Sequence, residues 1–275
     1  MRMASQMVCI IGHEAATEDS KSAKRNDQIT TYGERSMVEV EICIDCTEES
    51  AALANASAAL EGGAQRIECC SNMDVGGLTV DPSILAKVKQ LVGSKLEVLA
   101  MVRPYEGGFQ YTLPEKHLII EQAEAAVDAG ADGIVFGALS GNGIDHVLVS
   151  HLMHLAEVES IQTTFHRAFD VLADPDKAAA DLSELGVDRI LTAGASWESG
   201  DSATDSLHRL SHYVATSHDI EWVVGGKVSP ENAGSIASQL MAGHFSLHAY
   251  SSILENGLTS SQRVSQLVAE CQMAR

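Results

Sequence analysis

Cys43-Ile44-Asp45-Cys46 has the C-x-x-C spacing that binds a metal or carries out thiol redox chemistry. A second pair, Cys69-Cys70, follows in the next apolar run. Two soft thiolates such as Cys43 and Cys70 suit Cu(I), and zinc less well. Glu41, Glu68 and His166 could abstract and return a proton, and Arg103 could steady an enolate-like charge. Gly225-Gly226-Lys227 is a glycine turn able to cradle an anion on backbone N–H groups, with a lysine adding charge. Each has a plainer reading. Free cysteines pack as small hydrophobes, Glu41 and Glu68 could pair with Arg66 and Arg103 in a buried ion-pair layer, and glycine turns are common.

The elements that must position these residues follow a rhythm. From Val38 onward, short β-branched runs alternate with longer Ala/Leu-rich amphipathic runs. The runs predict strands at Val38–Ile44, Gln65–Cys70, Leu96–Arg103, Gly133–Gly137, Ile161–His166, Arg189–Thr192, Glu221–Gly225 and Phe245–His248. A helix follows each strand. Proline after a capping residue marks three helix starts, Asp81-Pro82, Asp174-Pro175 and Ser229-Pro230. A related hexapeptide joins a helix end to the next strand three times: Gly62–Ile67, Ala129–Ile134 and Leu185–Ile190. Eight strand–helix units imply a parallel sheet, and eight suit closure into a (β/α)8 TIM barrel. An open doubly wound sheet is the alternative, weakened by the absence of G-x-G-x-x-G after the first strand.

Strand parity then sorts the side chains. Val40, Ile42 and Ile44 should meet the helices, which sends Glu41 and Cys43 inward. Arg66, Glu68 and Cys70 share that inward parity, as do Arg103, Thr164, His166, Ser246 and His248. Barrel active sites lie at the C-terminal ends of strands, so Cys43, Cys70, Arg103 and His166 fall on the functional side. Arg66 lies early in its strand, where an ion-pair role is as good a reading. Cys69 should be helix-facing filler.

The chain has 275 residues and a formal net charge of −20. So acidic a protein is a poor partner for nucleic acid. No run of apolar residues is long enough for a membrane span. The first residues show no basic-then-apolar leader, so the expected location is the cytoplasm, where a disulfide framework is not expected. Residues 1–36 are polar and without periodicity, and read as a flexible N-terminal extension to a barrel domain at 37–275. A homo-oligomer is compatible with a barrel, but no segment marks an interface.

Val40-Glu41-Ile42-Cys43, Arg66-Ile67-Glu68-x-Cys70, Gly76-Gly77-x-Thr79, Arg103-Pro104, Thr164-Phe165-His166-Arg167-Ala168-Phe169-Asp170, Leu191-Thr192-x-Gly194 and Gly225-Gly226 together resemble the CutC family, from about Met37 to His248. The resemblance implies a (β/α)8 barrel, a cytoplasmic location and copper binding, with Cys43 and Cys70 at the positions of the family's cysteines. Tyr105 and Phe109 stand where an arginine and an aspartate are usual, Lys227 replaces a small residue, and Cys46 and Cys69 are additions. Two functions follow as expectations: Cu(I) binding in copper homeostasis, or acid–base catalysis on a small, perhaps phosphorylated, carbonyl or sugar substrate. A non-catalytic partner protein fits the polar strand ends least.

Overall fold

The β-branched runs form eight parallel strands, each hydrogen-bonded to the next in sequence, with the last returning to the first to close a barrel. They are β1 (Glu39–Asp45), β2 (Arg66–Cys70), β3 (Glu97–Met101), β4 (Gly133–Phe136), β5 (Gln162–Phe165), β6 (Arg189–Thr192), β7 (Glu221–Val224) and β8 (Phe245–Ala249). The coordinates are a computed structural model and describe residues 37–216, 219–240 and 243–274. The proposed extension at 1–36 lies outside the described residues. Eight helices follow the strands: α1 (Glu49–Glu61), α2 (Pro82–Val92), α3 (Leu113–Asp128), α4 (His146–Glu159), α5 (Pro175–Leu185), α6 (Leu207–Thr216), α7 (Ala233–Leu240) and α8 (Ser261–Met273). This is the TIM barrel that the alternation implied.

Several expected boundaries move, among them those at Arg103 and at Ser229-Pro230. β3 ends at Met101, so Arg103 stands on the loop after the strand rather than in it, though its inward direction is kept. Ser229-Pro230 does not open α7. There the Asn232 side chain accepts the Ser229 N–H at 2.8 Å, a local turn forms, and the helix starts at Ala233. The other two proline starts hold, with Asp81 accepting the N–H of Ser83 and Asp174 that of Lys177.

The repeated hexapeptide has a mechanical explanation. Gln65, Asp132 and Asp188 occupy the same place in it, just before a strand. Their side chains accept the backbone N–H of Val40, Val98 and Thr163 respectively, each at 2.8 Å. In each case the N–H so bound belongs to the second residue of the preceding strand.

The alternating pattern divides two environments. Val40, Ile42, Ile44, Ile67, Cys69, Val98, Ala100, Phe165 and Leu247 pack against the helices in one large core. The barrel's N-terminal mouth is closed by charge. Arg66, 1% exposed, reaches Glu41 at 2.5 Å, Glu221 at 2.7 Å, Glu39 at 3.3 Å and Glu97 at 3.7 Å. It also donates to Ser246 Oγ at 2.8 Å. Arg189 joins the layer by bonding Glu97 and Glu221. Burial opposes the guanidinium's charge, but Glu41 and Glu221 outweigh it and raise the Arg66 pKa above its ordinary value.

Replacing Arg66 leaves buried carboxylates without a counter-charge. Arg66→Met is therefore expected to cost about 3–5 kcal/mol in chemical denaturation. Glu39→Gln, at a side chain 51% exposed, should cost less than about 1 kcal/mol. Equal effects would refute the layer as the barrel's electrostatic closure.

Candidate functional site

At the opposite end of the barrel, β1 and β2 each carry an inward cysteine in their last residues. Cys43 Sγ and Cys70 Sγ lie 3.7 Å apart, both 1% exposed. Directly after β2 the chain turns through Asn72 in the left-handed region and into a short 3-10 turn, Met73–Val75. This brings Met73 Sδ to 3.8 Å from Cys43 Sγ. Gly77 keeps the approach open: its φ is +84°, and a Cβ there would sit 3.3 Å from Cys70 Sγ and 3.5 Å from Met73 Sδ. Three soft sulfurs thus face one another, with Glu68 close enough that its oxygen and the two thiols form one compact donor group.

The other two thiols of the sequence pattern turn away. Cys46 and Cys69 belong to the helix-facing core, and Cys46 Sγ points to the Ile44 carbonyl at 3.8 Å. The C-x-x-C spacing is therefore split across the sheet, with only Cys43 reaching the interior. Cys271 is also buried in the helix-facing core, and Cys9 lies outside the described residues.

A charged chain links the sulfurs to the Arg66 layer. His248 Nδ1 meets Glu41 Oε1 at 2.6 Å, and its Nε2 stands 3.8 Å from Glu68 Oε2. Burial would raise the Glu41 pKa, but Arg66 and His248 overcome it and hold the carboxyl at about 2. Burial would likewise strip the proton from His248, yet its bonds to Cys43 and Glu41 and the two carboxylate charges push its pKa well above the ordinary value. Glu68 lacks such an arginine. Burial, with the Glu41 charge behind it, pushes its pKa up. The Cys43 hydrogen bond and burial raise the Cys70 thiol as well.

Arg103 and His166 form the other wall. The expected pairing of Glu68 with Arg103 does not occur. Arg103 instead donates to the carbonyls of Val75, Gly76, Gly77 and Gly107 at 3.0–3.3 Å, which binds the β2–α2 loop to the β3–α3 loop. Its Nε is buried without a partner, and it forms no ion pair among the described residues. Burial pulls its pKa below the ordinary arginine value. His166 directly follows β5 and caps the 3-10 turn Arg167–Val171, its Nδ1 accepting the Ala168 N–H at 3.1 Å. An accepting Nδ1 places the proton of neutral imidazole on Nε2, which is buried and unpartnered. Burial and then the Arg103 charge hold the His166 pKa down at about 3. Gly137 makes room for the ring, since a Cβ there would lie 2.3 Å from His166 Cε1.

Between the two walls lies a cavity of about 250 Å³. Phe109, 6% exposed, closes one side, its ring 5.0 Å from His166 and 5.6 Å from Trp197. Arg167 stacks on Trp197 at 4.8 Å and also bonds Asp170. Asp170 in turn accepts from Thr192 Oγ1 and the Ala193 N–H. The Thr164–Asp170 string and the Leu191–Gly194 string are therefore halves of one lock between neighbouring loops. Parity identified Glu41, Cys43, Glu68, Cys70, Arg103, His166 and His248. It gave no sign of Met73 or Trp197, because both sit on loops where strand periodicity does not operate.

Gly225-Gly226-Lys227 stands outside this group. The Gly226 carbonyl accepts the Ala203 N–H at 2.9 Å, and Lys227 Nζ donates to the Gly200 carbonyl at 2.6 Å. The β6–α6 loop thus meets the turn through the Gly226 carbonyl and the Lys227 ammonium, while the Gly225 N–H goes to the Thr192 carbonyl at 2.9 Å. Gly225 contributes space, since a Cβ would meet Leu191 at 3.0 Å and His248 at 3.6 Å.

Comparison with known proteins places this arrangement. The model of the CutC family matches residues 38–253. The chain belongs to the CutC family. A CutC family protein from Aliivibrio fischeri is 37% identical over 201 residues, covering 72% of this chain and 76% of that one. A human relative named copper homeostasis protein cutC homolog is 36% identical over 195 residues, 70% of this chain and 66% of that one. A CutC crystal structure from Streptococcus agalactiae superposes with a TM-score of 0.65 at 28% identity, covering 77% of this chain and 98% of that one. Among the described residues, no helix is long and apolar enough to cross a membrane.

The buried His166 has a pH signature. Its folded pKa of about 3 lies below the ordinary histidine value of about 6.5. Its contribution to stability is therefore fully present above pH ~6.5 and is lost as pH falls toward 3, because the unfolded chain takes up the proton first. Imidazole NMR should find His166 neutral, as the Nε2–H tautomer, at pH 5. A midpoint near 6.5 would overturn the assignment.

Proposed function

We propose that this CutC-family barrel binds Cu(I) through Cys43 and Cys70 and serves copper homeostasis. The observation that carries the reading is the sulfur group itself: two thiols 3.7 Å apart with a thioether 3.8 Å from one of them. Thiolate and thioether sulfur are the donors that select Cu(I) over harder ions. Met73 is the third sulfur, and Glu68 lies beside the pair as an acceptor for a displaced thiol proton. The name of the human relative points the same way. Here copper is cargo, taken up and passed on.

A second reading is acid–base catalysis on a small carbonyl or sugar substrate. Glu68, its carboxyl pushed up by burial and standing beside His248, is suited to exchange a proton at a substrate in the cavity.

Anaerobic Cu(I) titration against a competing chelator separates the readings. The wild type should take up one Cu(I), the Cys43→Ser/Cys70→Ser variant should lose it, and Met73→Leu should weaken it by less. Binding should release protons, so the affinity should climb by up to about tenfold per pH unit for each proton displaced. Unchanged affinity in the double variant would remove the copper reading.

A further inference from the structure

Arg66 and Arg103 are both almost fully buried, yet only one is neutralised. Arg66 has four carboxylates around it. Arg103, 3% exposed, has only neutral carbonyls on its terminal nitrogens and nothing on Nε. A buried charge without a counter-charge is costly, and a protein retains one where a ligand supplies the opposite sign. His166, 4% exposed, lines the same cavity. Its Nδ1 is taken by Ala168 and the Nδ1–Cε1 edge lies against Gly137, so Nε2–H is the ring donor left to the cavity. Both side chains lie against one aromatic ring: the Arg103 guanidinium carbon is 5.3 Å from the Phe109 centroid, and the His166 ring is 5.0 Å from it.

We propose that this cavity holds a small organic carboxylate, with Arg103 Nε–H and His166 Nε2–H, both closed to solvent here, turning to meet its oxygens. One positive charge and one neutral donor match a monoanion. A phosphate dianion would bring more acceptor sites than these groups can satisfy. The same cavity is lined by the apolar Met101, Phe109, Leu191 and Trp197, which suit a short carbon skeleton, and also by the polar Glu68, Arg167 and His248. The volume of about 250 Å³ falls below the roughly 300–1,000 Å³ of pockets for drug-sized ligands, so the ligand has few heavy atoms. This site uses neither thiol and stands whether or not Cys43 and Cys70 bind copper.

The test follows His166 itself in metal-free, full-length protein carrying 15N-labelled histidine. Acetate and pyruvate are titrated, with methyl pyruvate as the uncharged control and inorganic phosphate as the rival anion. At least one carboxylate should shift the His166 Nε2–H signal saturably with a Kd below about 10 mM, and the ester should not. By calorimetry, His166→Phe should weaken that binding about tenfold or more. The wild-type NMR readout needs no variant to fold, so loss of structure cannot mimic failure. Carboxylate binding should persist in Cys43→Ser/Cys70→Ser protein, which separates this proposal from the copper reading. The proposal is overturned if neither carboxylate moves the His166 signal, if phosphate binds there more tightly than both, or if the double variant abolishes carboxylate binding.

Discussion

A guanidinium buried at the centre of a barrel has to be surrounded by carboxylates, and that requirement on Arg66 organises the interior above it. Glu41 is shared: one oxygen meets Arg66 Nε and the other meets His248. Because Arg66 holds Glu41 ionised, His248 gains a permanent negative partner and keeps its proton. The protonated imidazole then faces Glu68 and Cys43. The protonation states beside the sulfur group are thus set from the far end of the barrel, through two side chains.

The two walls of the cavity are made differently for a physical reason. On the sulfur side, the groups are close and interdependent: burial and the Glu41 charge raise the cost of ionising Glu68, and the Cys43 hydrogen bond and burial raise that of Cys70. On the Arg103 side, charge is held apart by neutral carbonyls and by the aromatic cluster of Phe109 and Trp197. A soft sulfur wall thereby faces a harder donor wall across the cavity. The fold supplies both from strand ends and the first residues of the loops, where a barrel gathers its function.

The fold was legible in the sequence because a barrel imposes two strict rules, alternation of elements along the chain and alternation of sides along each strand. Glu41, Cys43, Glu68, Cys70, His166 and His248 all obey the second rule and were placed by it. The repeated hexapeptide was visible as a pattern, though not as the set of Gln65, Asp132 and Asp188 caps on the preceding strands. Arg103 was placed inward but with the wrong partner, because parity gives direction and no distance. Met73 and Trp197 are on loops, where no period constrains direction. The C-x-x-C misled for a related reason: a spacing of three suits a turn, but at the end of a strand it sends the two thiols to opposite faces.

Arg103 ties two loops together through four carbonyl oxygens that come from the backbone, so the brace does not depend on which side chains those loops carry. Their sequences can drift without loosening the rim of the cavity, provided Arg103 stays and Gly76, Gly77 and Gly107, all at positive φ, keep their conformation. The Arg66 layer, which stabilises the barrel, lies at the other mouth and shares none of these atoms. Lineages built on this scaffold are consequently free to change what the rim recognises while leaving the foundation of the barrel untouched.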